Sequence, residues 1–214
     1  MSLRFAGRRF ASSLLSGVRQ RGLPLRTPVH SACLRRPLSF SFPGPRKLNE
    51  IANLPLLEKE DDIRIREIWN EYHRDQQNAL GAVLKASDLA NLRARAKSCP
   101  LLLVPVYRGG GYFMLISQFQ DSVFLLSFLE EYKRDPSSAQ PYLTISVFDD
   151  LAAKGVGLVR ADIFPGLTKA ESERVLRLLL RHFYLGDGFP AVENLNLHPG
   201  QFDFDTYIAA CPKE

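Results

Sequence analysis

The sequence predicts an α+β fold: a single domain with a mainly antiparallel β-sheet and helices packed on one side. Apolar residues recur at helical spacing near both ends of the body and switch to short, strand-length runs between 101 and 163. The resulting order (helix, strand, helix, several strands, helix) has no internal repeat and suits a sheet covered by helices. With 214 residues, 45% of them hydrophobic, the chain can bury one core of ordinary size.

The stretch "EDDIRIREIWNEYHRDQQ" (60–77) sets Ile65, Ile68, Trp69 and Tyr72 on one helical face, with acids in the first turn where the helix dipole favours them. "ALGAVL" (79–84) is a short strand. Ser87 is expected to cap a helix over 88–97 whose Leu89, Leu92 and Ala96 face a core, and Pro100 ends it. "LLLVPVY", "YFMLISQF" and "VFLLSFLEEY" follow as an antiparallel meander rich in aromatic and β-branched residues. Pro105 lacks the N–H that a central ladder needs, so its strand lies at an edge or carries a bulge.

After the polar loop "RDPSSAQP", residues 142–148 alternate Leu143, Ile145 and Val147 with Tyr142, Thr144, Ser146 and Phe148, as in a half-buried strand. A helical turn at 149–154 stops at Gly155, and "VGLVRADI" resumes the strand pattern. Thr168 and Glu171 form a capping box for a long helix with Val175, Leu178, Leu179, His182 and Phe183 as its buried stripe. Beyond "LGDGFP", the segment "VENLNLHPGQFDFDTYI" reads as strand and turn.

Charge divides the chain. Residues 1–49 hold ten Arg or Lys and no acid, which leaves 28 − 10 = 18 basic against 23 acidic residues in the remainder. A net-acidic body is a poor neutraliser of phosphates, so no nucleic-acid partner is expected. The leader has Leu3, Phe10, Leu14 and Val18 on one helical face and Arg4 and Arg8 on another, followed by a proline-rich stretch. Residues 1–47 are therefore expected to be a mitochondrial transit peptide and disordered linker, with a disordered basic arm as the alternative, and 48–214 the folded domain. No stretch reaches the length of a membrane span.

Arg108-Gly109-Gly110-Gly111 could be a phosphate cradle or a turn. A cradle needs glycines that lead from a strand into a helix N-terminus. Here they lead into another strand, with neither GK[ST] nor GxGxxG, so they serve a hairpin turn and leave Arg108 solvated. His73, His182 and His198 are scattered, no GxSxG surrounds a serine, and Cys99 and Cys211 lie far apart without a CxxC. The pairs Asp61-Asp62, Glu130-Glu131, Asp149-Asp150 and Asp203/Asp205 leave a hydrolase open by residue type, although adjacent side chains diverge. No catalytic residue, cofactor or metal is assigned.

Both faces of the strands read as apolar. Val123, Leu125 and Leu129 cannot share the core with Phe124, Leu126 and Phe128 unless something covers the second side. Helices of the same domain can do so, or the face is a sticky surface for an unassembled partner chain. On the second reading strand alternation points to Phe124, Phe128, Tyr142 and Phe148 as partner-binding residues.

Four blocks, "LNEIANLPLLEKEDDIRIREIWNEYH", "RAKSCPLLLVPVYRGGGYFMLISQFQ", "LTISVFDDLAAKGVGLVRADI" and "VENLNLHPGQFDFDTYI", resemble the mitochondrial assembly factors that chaperone the beta subunit of the F(1) sector of ATP synthase. The likeness runs from Leu48 to Ile208, and Gly157 departs from it where a bulkier residue is expected. The resemblance implies a monomeric, non-enzymatic matrix protein. It would bind unassembled beta subunit, prevent its aggregation and release it to the alpha subunit. The competing class is a small matrix hydrolase or nucleotide-binding enzyme.

Overall fold

The computed structural model describes residues 46–213, so the expected leader helix and most of its linker lie outside the described residues. Six strands form one sheet: β1 (Ala79–Lys85), β2 (Leu101–Arg108), β3 (Gly111–Gln120), β4 (Val123–Phe128), β5 (Pro141–Phe148) and β6 (Val156–Ile163). Their order is β1-β6-β5-β4-β3-β2 and every pair is antiparallel. Strands β2 to β4 are the expected meander, which β5 and β6 continue in antiparallel sequence, with β1 added beside β6.

The helices are α1 (Leu54–Leu57), α2 (Asp62–Arg74), α3 (Ala86–Ser98), α4 (Leu129–Arg134), α5 (Lys169–Arg177), α6 (Phe189–Leu197) and α7 (Phe204–Ala210). Alternation along β6 shows how they are layered. Val159 and Ala161 enter the main core with Leu89 and Leu92 of α3 and Val175 of α5. Val156 and Leu158 face the other way, into a second core with Ile65 and Trp69 of α2 and Phe148 of β5. Most helices therefore pack on one face, while α2 covers the second face at the β1–β6 end. The apolar character of both strand faces follows from this arrangement.

Several local signals act as expected. Asp61 caps α2 by accepting the Arg64 backbone N–H at 2.7 Å, and Thr168 with Glu171 forms the capping box of α5. Strand β2 is an edge. Asn196 takes the outward backbone N–H and carbonyl of Leu101 at 3.0 and 2.7 Å, and the Tyr207 hydroxyl donates to the Leu103 carbonyl. Pro105, two residues further on, faces the same way and has no N–H to leave unpaired, so this edge offers little to a passing strand.

Other elements differ from expectation. Helix α3 starts at Ala86 directly from β1, and the Ala86 N–H donates to the Gly155 carbonyl at 3.0 Å, so Ser87 is not its cap. The long helix changes to π-helical turns over Leu178–Tyr184. The wider turn rotates the stripe, burying Leu180 and Tyr184 and leaving His182 half-buried. The C-terminal piece forms α6 and α7 rather than strand, with Pro190 in the first turn of α6 and Asp203 capping α7 through the Thr206 N–H. Gly157 is also no defect. A Cβ there would stand 2.8 Å from Leu89 Cβ, so its absence lets α3 lie close against the sheet.

Candidate functional site

The four aromatic residues chosen by alternation part company in the structure. Phe124 is fully buried, its ring 4.6 Å from Phe119 and 5.3 Å from Tyr184. Phe148 is buried on the opposite face beneath α2, edge-on to Trp69 at 6.3 Å. Both are core residues of this fold, because alternation gives the side a residue faces and not whether a helix covers that side. Phe128 and Tyr142 remain half-buried and meet at 6.5 Å, with Phe113 at 6.0 Å from Phe128.

A bulge brings that pair together. Leu126 is opposite Leu143 but Ser127 is opposite Pro141, which leaves Tyr142 outside the pairing register. Its hydroxyl donates to Glu131 at 3.3 Å, and its ring lies against Gly166, where φ is +117° and a side chain would have no room.

The glycine run at the β2–β3 hairpin is a turn. Gly109 and Gly110 have φ of +57° and +80°, the positive values that a two-residue type I′ connection requires, while Gly111 begins β3. Arg108 is not left to solvent. Its Nε and Nη2 donate to the two Glu171 oxygens at 2.6 and 2.7 Å, Nη2 also donates to the Gly166 carbonyl at 2.9 Å, and the guanidinium lies 5.1 Å from the Phe113 ring centre. Arg108, together with hydrogen bonds from Thr168, holds the Glu171 carboxyl at about 2, well below its usual range. With its fork occupied by a carboxylate, Arg108 is committed to structure rather than to an anionic ligand.

Most of the paired carboxylates are similarly engaged. Asp61 and Asp203 cap helices, Asp149 pairs with Arg93, Glu130 with Lys133, and Glu131 accepts from Tyr142. Asp135 and Asp203 are pulled below the usual carboxylate range by hydrogen bonds from Ser137 and Thr206 respectively, opposite to the shift a general acid needs. Among the described residues no cluster of three or more His, Cys, Asp or Glu is placed to hold a metal ion.

An apolar groove of about 420 Å³ runs between α1 and α2, and sequence reading missed it. Its lining includes Ile51, Leu57, Ile68 and Trp69, with Leu56 and Tyr72 standing 56% and 46% exposed beside them. The spacing of Ile65, Ile68, Trp69 and Tyr72 suggested one buried stripe. In the structure Ile65, Trp69 and His73 face the sheet, which leaves Ile68 half-buried and Tyr72 in the open. The signal was present as an apolar arc wider than one contact can cover.

Comparison with known proteins places the molecule. The sequence model of the ATP11 protein family matches residues 30–198. The chain belongs to the ATP11 family. It is also similar to the ATP synthase mitochondrial F1 complex assembly factor 1 of Danio rerio, with 24% identity over 172 residues, covering 78% of this chain and 57% of that protein. This ATP11-family chain thus spans little more than half the length of that relative.

Proposed function

We propose that this ATP11-family protein is an assembly factor of mitochondrial ATP synthase. Acting as a monomer in the matrix, it captures unassembled F1 beta subunit, shields its apolar surface from aggregation and yields it to the alpha subunit. The observation that carries the reading is the family match over residues 30–198, with the likeness to an F1 assembly factor in support. A chaperone of this kind performs no reaction. It needs apolar contact area with a polar rim, and binding weak enough for a larger subunit interface to displace it.

Phe128 and Tyr142 suit such a contact, since both are half-buried and the charged residues Arg108, over the Phe113 ring, and Glu131, bonded to Tyr142, border their cluster. Purified beta subunit, diluted under aggregating conditions, provides the test. The full chain is expected to suppress light scattering, and Phe128→Ser with Tyr142→Ser to weaken suppression about tenfold or more. Urea unfolding, followed through the lone Trp69, is the control for lost stability. Undiminished suppression by the double variant would exclude these residues. Heat of ATP binding in calorimetry with no capture of beta subunit would favour the nucleotide-binding enzyme instead.

A further inference from the structure

The groove between α1 and α2 lies away from Phe128 and Tyr142, over β1, β6 and the Phe148 end of β5. Ile51, Leu57, Ile68 and Trp69 line it, and Leu56 from α1 and Tyr72 from α2 flank it as exposed apolar side chains. Walls from two helices with an apolar floor suit the mode in which one face of an amphipathic helix is laid into a groove.

The border of the groove sets the charge of its occupant. From Glu58 to Asp75 there are seven acids and four bases. Two of those bases are engaged within α2, Arg64 with Glu67 and Arg66 with Asp62. Glu60 is part of the lining, and Glu58 and Glu71 adjoin the lining residues Leu57 and Tyr72; none of the three is in an ion pair among the described residues. Arg64 stands close enough to Glu60 and Glu71 to feel their charge, and Lys154 Nζ donates to the Glu60 carbonyl at 3.1 Å, so the border keeps an acidic excess rather than acids alone. An apolar floor inside an acidic border favours an apolar stripe with basic flanks.

We propose that this groove docks a short amphipathic helix with basic flanks, presented by the unassembled F1 beta subunit; the proposal rests on the assembly-factor reading. The chain's own residues 1–45 hold eight arginines and no acid and precede the lining residue Ile51 by only a few positions in sequence, which makes them the rival occupant. A transit peptide is removed, however, and the groove is then left for a client.

A photo-crosslinking benzoylphenylalanine at position 72 of the full chain, irradiated with purified F1 beta subunit and separately with alpha subunit, identifies the occupant. The expected adduct falls in one client segment with apolar residues at i and i+3 or i+4 and Lys or Arg at its ends. In parallel, Leu56→Asp with Tyr72→Asp is expected to lower client affinity about tenfold, and Glu60→Lys with Glu71→Lys to lower it several-fold and flatten its salt dependence. The Glu60/Glu71 pair should leave the urea midpoint unchanged, and the Leu56/Tyr72 pair should lower it only slightly, through the lost edge-on contact of Tyr72 with His73. Adducts confined to residues 1–45, to a second copy of the chain or to the alpha subunit would overturn the proposal. Full client affinity in the Leu56/Tyr72 variant would overturn the groove while leaving the assembly-factor reading intact. Failure of the unsubstituted chain to bind either subunit would overturn that reading and the proposal with it.

Discussion

Arg108 and Glu171 join the root of the β2–β3 hairpin to the first turn of α5 through two parallel hydrogen bonds of 2.6 and 2.7 Å. The carboxylate is sheltered, at 11% exposure, while the guanidinium is 52% exposed, so water screens the pair from one side only. Thr168 adds its backbone N–H and hydroxyl to the same carboxylate, both at 2.8 Å.

This pair makes stability depend on pH in a defined window. The folded-state pKa of Glu171, about 2, lies below the ordinary value of 4.5, so the folded state favours the charged carboxylate. Its contribution is fully present above 4.5 and is lost as pH falls through about 2. Arg108→Ala should therefore lower the urea midpoint at pH 7, and the gap to the parent should close between pH 4.5 and 2. A gap that persists at pH 2 would assign the loss to packing over Phe113 instead.

Gly157 and Leu89 make a second prediction, free of electrostatics. A Cβ at 157 would stand 2.7 Å from Leu89 Cδ2 and 2.8 Å from its Cβ, and the Cβ cannot swing away. Gly157→Ala should cost roughly 1–3 kcal/mol by overpacking. In a Leu89→Ala background, where Cδ2 is gone, the same change should cost less. Urea midpoints of the four proteins give the coupling, and strict additivity would show that α3 shifts freely.

Much of this architecture is legible because local chemistry and tertiary packing agree. Asp61, the Thr168–Glu171 box and Pro105 each constrain the backbone within a few residues, and each does in the fold what its chemistry requires. The errors arise where distant contacts decide. Nothing near Phe148 reveals that Trp69 lies over it, and nothing near Leu178 reveals the π-helical turns that exchange His182 for Tyr184 in the core. The bulge that pairs Tyr142 with Phe128 depends on register between strands, which alternation within one strand cannot report. The groove stayed hidden because an apolar residue spaced for burial looks the same whether or not a neighbour arrives to cover it.

The division among the four aromatics is open to direct measurement. Phe124→Ala removes a ring from full burial and should cost about 3–5 kcal/mol, with Phe148→Ala near the lower end because 8% of it is exposed. Tyr142→Ala, at a half-buried site, should cost clearly less. Equal costs for Tyr142 and Phe148 in urea unfolding would show that the bulge residue is as deeply packed as the core.

His73 links α2 to β6 and carries the last prediction. Its Nδ1 lies 2.8 Å from the Trp69 carbonyl, which can only accept, so the proton sits on Nδ1 and Nε2 is left to accept from Arg160 Nη1 at 3.1 Å. The ring is wedged against Gly81, where a Cβ would come within 2.6 Å, and between the rings of Trp69 and Tyr72. Burial first, and then the neighbouring Arg160 charge, lower its pKa from 6.5, opposed by the Trp69 hydrogen bond and by Asp162. A depressed folded-state pKa means that the neutral ring stabilises the fold above 6.5 and that this stability is lost as pH falls below it toward the folded value. His73→Gln keeps an acceptor for Arg160 but cannot titrate. It should cost about 1–2 kcal/mol at pH 7 and flatten the fall in urea midpoint below pH 6.5. An unchanged slope would move the effect to His182, whose pKa burial also lowers.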